Sequence, residues 1–169
     1  MNQRLLFILM LIVPAVVFGF LNEPNGFRAV TWWSPVPSGW ARTPAPQDMA
    51  FNIPSPDCWR NPKDELKLGD AKVEEITYLA WKGKICAVYI RFTSSALTDL
   101  KKACQAKYGG PENVGYGNVT SLLWRGPRTA ISLDYDPKYP SAGALCFQAA
   151  DLKQKRIDDD RSKVNTKGF

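Results

Sequence analysis

The sequence predicts an α+β fold: a single antiparallel sheet of about five to six strands, with one main helix packed on one face and a long Pro/Trp-rich loop. Two strand-like runs, 73–81 and 84–92, flank Lys82-Gly83, whose glycine supplies the positive φ of a tight hairpin. One helical pattern and three further strand-like runs follow. Because a single helix cannot cover both faces of such a sheet, the arrangement is α+β rather than α/β.

Residues 1–21 have the pattern of a signal peptide or an N-terminal membrane anchor. Arg4 is their single charge, and the apolar run 5–21 reaches the lower limit of a membrane-spanning helix. Val17 and Gly19 suit cleavage after Gly19. We therefore expect an exported chain, periplasmic or secreted, that touches a membrane only through this segment if it stays uncleaved.

The remaining 148 residues favour one domain, predicted at 22–150. Residues 27–33 form a short strand by their β-branched and aromatic content. Repeated prolines exclude helix and interior strand from a Pro/Trp-rich loop at 34–62. Residues 151–169 are charged and nearly free of large apolar side chains, which predicts a flexible C-terminal tail with a short, frayed helical extension at most.

The hairpin around Lys82-Gly83 assigns side chains to faces. A two-residue loop places Tyr78 opposite Ala87, and alternation then leaves Tyr78, Tyr89 and Arg91 on one face. The other face carries Val88 and its apolar neighbours. We expect the helix to cover that second face and leave the tyrosine face open.

The helix follows Ser94 and Ser95, which are capping residues. Its apolar side chains recur at spacings of three and four, which predicts one buried stripe of Leu97, Leu100, Cys104 and Tyr108. Gly109-Gly110-Pro111 ends the helix. The runs 120–124, 129–135 and 144–149 then form the last strands.

Four cysteines, Cys58, Cys86, Cys104 and Cys146, are widely spaced. In an exported chain an even number predicts up to two disulfides, with three connectivities open. A bridge between Cys86 and Cys104 is geometrically reasonable if the helix stripe approaches that strand, leaving Cys58 and Cys146.

The chain contains no histidine, which removes the commonest general base and the commonest metal ligand. Histidine-dependent nucleophilic sites and the usual catalytic zinc sets are therefore excluded. We expect no enzyme activity, no cofactor and no metal. The net charge of +6 is modest and does not predict a nucleic-acid partner.

Gly26-Phe27-Arg28 followed by Trp32, the stretch Leu66-Lys67-Leu68-Gly69-Asp70-Ala71 and the triplet Lys107-Tyr108-Gly109 resemble a group of small, uncharacterised exported bacterial proteins. The strand and helix order is also similar to the β-lactamase-inhibitor-protein-like and outer-membrane-assembly-lipoprotein-like folds. The resemblance implies one helix resting on an antiparallel sheet. It implies no catalytic residues.

These observations predict a non-enzymatic module of the periplasm or cell envelope that binds a protein or peptide. Aromatic and arginine side chains dominate binding surfaces, and the candidate binding residues are Trp32, Trp33, Trp40, Tyr78, Tyr89 and Arg91. A small-molecule-binding protein lined by aromatic residues is the alternative, and a hydrolase that works without histidine is a weaker one. A concave site would favour the alternatives, and an open aromatic surface would favour the module.

Overall fold

The computed structural model describes residues 19–46, 56–115, 117–138 and 143–167. Residues 1–18 of the expected signal segment lie outside this range. The elements in chain order are β1 Gly26–Phe27, β2 Val30–Thr31, β3 Ala41–Thr43, β4 Asp57–Arg60, β5 Lys67–Leu68, β6 Ala71–Lys72, β7 Glu75–Trp81, β8 Lys84–Phe92, α1 Ser94–Tyr108, β9 Glu112–Asn113, β10 Thr120–Arg125, β11 Thr129–Tyr135, β12 Gly143–Ala149 and α2 Leu152–Lys167.

One antiparallel sheet of eight strands dominates the described residues, in the order β3-β4-β7-β8-β12-β11-β10-β9. The pairs β1-β2 and β5-β6 form two small separate sheets. The class α+β is confirmed, but the predicted single sheet of five to six strands with one main helix is wrong. The missed strands are two to four residues long, too short to show an alternating pattern.

Two of the missed strands belong to the predicted Pro/Trp-rich loop. β3 lies at one edge of the sheet, and β4 pairs with β3 on one side and β7 on the other. Pro56 and Pro62 flank β4 without entering it, so the missing proline N–H groups cost the ladder nothing. Part of the loop, residues 47–55, lies outside the described residues.

The β7-β8 hairpin has the expected turn, with φ of 54° at Lys82 and 74° at Gly83. The register shifts between Leu79 and Ala80, so that Cys86 becomes an extra residue on β8. Tyr78 consequently pairs with Val88 instead of Ala87. The predicted grouping of Tyr78 with Tyr89 and Arg91 is therefore wrong, because one extra residue moves a side chain to the opposite face.

Helix α1 buries the predicted stripe through Leu100, Cys104 and Tyr108, while Leu97 is half-buried. The Tyr108 ring meets Phe147 with centroids 6.2 Å apart. Phe147 pairs with Val88 in the sheet. The helix thus covers the face that carries Val88 and Tyr78, as the sequence predicts for Val88.

The opposite face is also buried at its centre. Thr77, Ala87 and Tyr89, which share this face, are at most 2% exposed. Both faces of β8 are therefore inside the protein, so the expected open tyrosine face does not exist. The continuous apolar run of β8 is typical of a strand buried on both sides.

The C-terminal segment, expected as a flexible tail, contains helix α2. Leu152 at its start is 2% exposed and belongs to the core. Asp159 pairs with Lys82 at the β7-β8 turn. The buried Leu152 and the Asp159–Lys82 ion pair thus help to connect the helix to the domain, although its composition is strongly polar.

Candidate ligand-binding cavity

The three sheet residues proposed from the sequence as a binding surface do not form one. Tyr78 is fully buried and donates a hydrogen bond from its hydroxyl group to Asp64 Oδ2 at 2.7 Å. Burial and the Asp64 carboxylate raise the pKa of Tyr78 far above its usual range. Tyr89 is buried on the other face. Arg91 is partly exposed and bridges Glu74 and Glu75.

The three proposed tryptophans also act mainly in packing. Trp32 is buried, and its indole N–H donates to Thr129 Oγ1 at 2.7 Å. The Trp40 ring lies 4.4 Å from the ring of Tyr78. Trp33 is half-buried, with its indole N–H on Asp151 Oδ1 at 3.0 Å. Only Trp33 and Trp40 keep appreciable exposed surface.

All four cysteines are free thiols. Cys58 on β4 and Cys146 on β12 are separated by β7 and β8. Three inter-strand spacings amount to roughly 14 Å, well beyond the reach of a disulfide. Cys104 faces a cavity beside Leu145 and Phe147 of β12, whereas Cys86 lies at the irregularity of β8. The expected Cys86–Cys104 bridge is not formed.

A well-formed cavity among the described residues has a volume of about 450 Å³. It lies between the β1-β2 hairpin, helix α1 and the helix-covered face of β12. Its walls are mostly apolar, from Phe27, Val30, Leu68, Leu100, Ala103, Cys104, Tyr108, Leu145 and Phe147. Pockets of 300–1,000 Å³ with predominantly apolar walls are the usual sites for small ligands.

Residues 24–31 form the outer wall of this cavity, because the chain doubles back tightly at β1-β2. A side chain at Gly26 would place its Cβ 2.0 Å from the carbonyl oxygen of Val30, and the φ of Gly26 is 148°. Only glycine fits there. At the tip, Arg28 has a φ of 54°.

Two charged side chains hold this wall in place. The Arg28 guanidinium donates to Asp64 Oδ1 at 2.6 Å and to the carbonyl oxygens of Glu65 and Lys67 at 2.7 and 2.9 Å. Before the hairpin, Glu23 Oε1 accepts the backbone N–H groups of Arg128 and Thr129 at 2.6 and 2.8 Å. The wall is therefore connected both to the loop before β5 and to the start of β11.

Scans against protein-family models, curated proteins and solved structures return no match. A functional assignment must therefore rest on the geometry of the protein alone. Within residues 19–46, 56–115, 117–138 and 143–167, no three metal-ligating side chains converge on one point. No helix in that part of the chain is long and apolar enough to cross a membrane.

The Cys104 thiol and the Tyr108 phenol, which line the cavity, keep their protons at neutral pH. Burial raises the pKa of the Cys104 thiol to about 11, although nearby Lys107 opposes the shift. Burial, followed by the charge of Cys104, raises the pKa of Tyr108 to about 12. A thiol and a phenol in this state are poor nucleophiles and poor bases.

The sequence analysis identified segments that line this cavity, but it did not predict that they lie next to one another. The stripe of Leu100, Cys104 and Tyr108 is a helical pattern, and Gly26-Phe27-Arg28 stands out as a motif. The wall formed by residues 24–31 is held by contacts between residues about a hundred positions apart, such as Glu23 with Arg128. No local pattern reports a contact of that kind.

Proposed function

We propose that this chain is a non-catalytic binding protein that holds a small apolar molecule in the cavity between β1-β2 and α1. The observation that carries the proposal is the concave, mostly apolar lining of this cavity, because sites for small ligands are usually concave and apolar. The surface of two tyrosines and Arg91, on which protein or peptide binding was expected to depend, is buried or paired. A concave site favours the small-molecule alternative.

The same proposal includes export to the periplasm or cell envelope. Cleavage after Gly19 would make Phe20 the first residue of the mature protein. The Phe20 ring lies 5.5 Å from the Tyr108 ring, edge to face, and Asn22 donates from its side-chain amide to the Lys107 carbonyl oxygen at 2.9 Å. The chain is thus docked on the C-terminal end of α1 immediately after the proposed cleavage site.

Phenylnaphthylamine, an uncharged dye whose emission rises when it leaves water, tests the proposal. The protein obtained by expressing the full sequence should bind the dye saturably, at one molecule per chain. Ala103 lines the cavity from α1, so Ala103→Phe should fill space and weaken binding by about tenfold, equivalent to about 1.4 kcal/mol. No saturable binding would contradict the proposal.

Ala106→Phe is the matched control. Ala106 is exposed on the same helix and does not line the cavity, so the substitution adds the same ring to the surface. We expect wild-type dye affinity. If both phenylalanine variants weaken binding equally, the dye occupies some other part of the protein and the cavity assignment fails.

Protein binding remains a second candidate, now centred on a smaller surface. The rings of Trp33 and Trp81 meet at 6.4 Å, and Lys82 and Lys155 lie over them at 4.9 and 5.1 Å. Trp33 has a φ of 66°, which is rare for a bulky residue. Exposed lysines around half-buried tryptophans suit an acidic partner segment.

A charge reversal tests this second candidate. Lys84 borders the Trp33–Trp81 surface and is exposed, so Lys84→Glu should abolish capture of a partner from the native envelope by the purified protein. Lys72→Glu, an exposed reversal on β6 away from that surface, should leave capture intact. Equal capture by both variants would remove the Trp33–Trp81 surface from consideration.

A further inference from the structure

We infer that the ligand of the cavity is a single-chain amphiphile with a carboxylate head, a free fatty acid, whose head pairs with Lys107. This inference rests on the proposed function and adds the ligand's class to it. Its starting observation is a charge asymmetry. Among the described residues, the charged side chains that line the cavity are Arg28 and Lys107, both cations, with no aspartate or glutamate beside them.

Both cations lie at the edge of the apolar walls. The Lys107 Nζ atom is 5.3 Å from the centroid of the Tyr108 ring, and the Arg28 guanidinium is 5.3 Å from that of Phe27. Both rings line the cavity. A tail among these rings therefore leaves its head beside a cation.

The two cations differ in the polar partners that they already have. The Arg28 guanidinium is used by the Asp64 carboxylate and by two backbone carbonyl oxygens. Lys107 is exposed and makes no ion pair with any described residue. The ammonium group of Lys107 is thus the cation left free to pair with an anionic head.

Lys107 lies in the last turn of α1, where carbonyl oxygens would repel an anion. Two of these oxygens are already hydrogen-bonded. The Lys107 carbonyl accepts from the Asn22 amide at 2.9 Å, and the Gln105 carbonyl accepts from the Gly109 backbone N–H at 2.9 Å. These bonds lower the negative potential at the helix end, which leaves the lysine charge to dominate.

The tail is specified by the walls. Phe27, Leu100, Leu145 and Phe147 offer a continuous apolar surface with no charged group between them. The volume of about 450 Å³ is near the lower end of the range for ligand sites. This size favours one acyl chain over the two chains of a phospholipid, so the source is a free fatty acid rather than a membrane lipid.

Three probes with the same ten-carbon tail and different heads separate tail binding from head recognition: decanoate, decanol and decyltrimethylammonium. Each is titrated against phenylnaphthylamine bound to the protein obtained from the full sequence. We expect decanoate to bind about tenfold tighter than decanol and the ammonium probe to bind weakest, because only the carboxylate head is attracted by the Lys107 charge. Raising the salt concentration should weaken only decanoate.

Lys107→Gln should bring decanoate affinity down to that of decanol and leave decanol unchanged, while Lys107→Arg should keep the preference for decanoate. Lys102→Gln is the matched control: Lys102 is exposed on the same helix and does not line the cavity. It should change neither affinity.

The outcomes separate this inference from the proposed function. If decanoate and decanol bind equally well, or if Lys107→Gln leaves the preference for decanoate intact, the inference is overturned while the cavity remains a binding site. The same holds if the ammonium probe binds tightest. If no probe displaces the dye and Ala103→Phe has no effect on it, the proposed function itself has failed.

Discussion

The Tyr78 hydroxyl connects the sheet to the outer wall of the cavity. It donates to Asp64, whose other carboxylate oxygen accepts from Arg28 at the tip of β1-β2. The Asp64 side chain is only 8% exposed. When a buried carboxylate oxygen loses its hydrogen-bond donor, most of the free-energy cost of its desolvation is left uncompensated. The Tyr78 hydroxyl therefore contributes more to stability than one ordinary hydrogen bond.

Tyr78→Phe should therefore lower the free energy of unfolding by about 1–3 kcal/mol. Chemical denaturation measures the change. Tyr135→Phe is the control, since Tyr135 is half-buried and its hydroxyl oxygen accepts a long hydrogen bond from Lys101 at 3.2 Å, and it should cost less than about 1 kcal/mol. If Tyr78→Phe leaves the free energy of unfolding unchanged, the sheet and the hairpin wall are not coupled through Asp64.

The buried side of Tyr78 could not be read from the sequence. The turn at Lys82-Gly83 was predictable, because glycine at the second position of a two-residue hairpin turn is a local sequence signal. The irregularity at Cys86 leaves no such signal, and it decides which face Tyr78 occupies. Arg91 was placed on the correct strand, but its partners Glu74 and Glu75 precede it by sixteen or more positions.

At the scale of elements, Glu75 connects three neighbouring strands. Its carboxylate pairs with Arg60 of β4 at 2.6 Å and Arg91 of β8 at 3.4 Å, and it accepts a hydrogen bond from Thr77 at 2.8 Å. Burial alone would raise the pKa of Glu75, but the hydrogen bonds from Arg60 and Thr77 and the charges of Arg60 and Arg91 hold it below its usual range.

A carboxyl group whose pKa is depressed by folding stabilises the protein above its unfolded-state pKa. That contribution is lost as the pH falls through the lower, folded-state pKa. We expect the stability of the wild-type protein to decline below about pH 4.5, the ordinary pKa of glutamate. Glu75→Gln should reduce stability at neutral pH and flatten this decline.

Thermal unfolding of both proteins between neutral and acidic pH measures this effect. Glu112→Gln, which removes an exposed ion pair with Arg125 at the other end of the sheet, is the control and should leave the profile close to wild type. Parallel pH profiles for Glu75→Gln and the wild-type protein would mean that Glu75 does not titrate differently in the folded state.

Helix α2 depends on its first residue. Leu152 is 2% exposed in the core, and truncating a buried leucine to alanine costs about 2–5 kcal/mol. Leu152→Ala should lower the melting temperature by several degrees. Deleting residues 160–169 should leave the melting temperature within error, because it spares Leu152 and the Lys82–Asp159 contact. The reverse result would place the anchor of α2 in its second half.

The polar composition of residues 151–169 predicted a tail, since four large apolar side chains are too few for a packed helix. In the structure Leu152 is the buried anchor of the helix, with Asp151 accepting the Trp33 indole N–H beside it and Asp159 pairing with Lys82. By contrast, α1 and the strands β7, β8, β10, β11 and β12 were predictable, because their patterns extend over six or more residues. Short strands such as β3 and β9 carry no pattern of their own.

At the scale of the whole molecule, the fold keeps its cysteines apart. Cys58, Cys86 and Cys104 are buried and Cys146 is partly so, and none is bridged. Burial raises the pKa of all four thiols, with the charge of Asp57 or Asp134 contributing at Cys58 and Cys146. Buried thiols of this kind resist oxidation.

We therefore expect four free thiols when the protein, isolated from its native compartment without reductant, is denatured and reacted with a maleimide. Mass spectrometry of the labelled chain counts them. Two or zero free thiols would mean that the exported protein forms disulfides, which requires strand positions different from those described here.

The central claim is that a small apolar molecule occupies the cavity between β1-β2 and α1, and direct contacts test it best. The measurement is nuclear Overhauser transfer between bound decanoate and the methyl and ring protons of the isotope-labelled protein. The account predicts contacts from the decanoate tail to Leu100, Leu145 and Phe147. Contacts confined to the half-buried rings of Trp33 and Trp81, or no contacts at saturating decanoate, would contradict it.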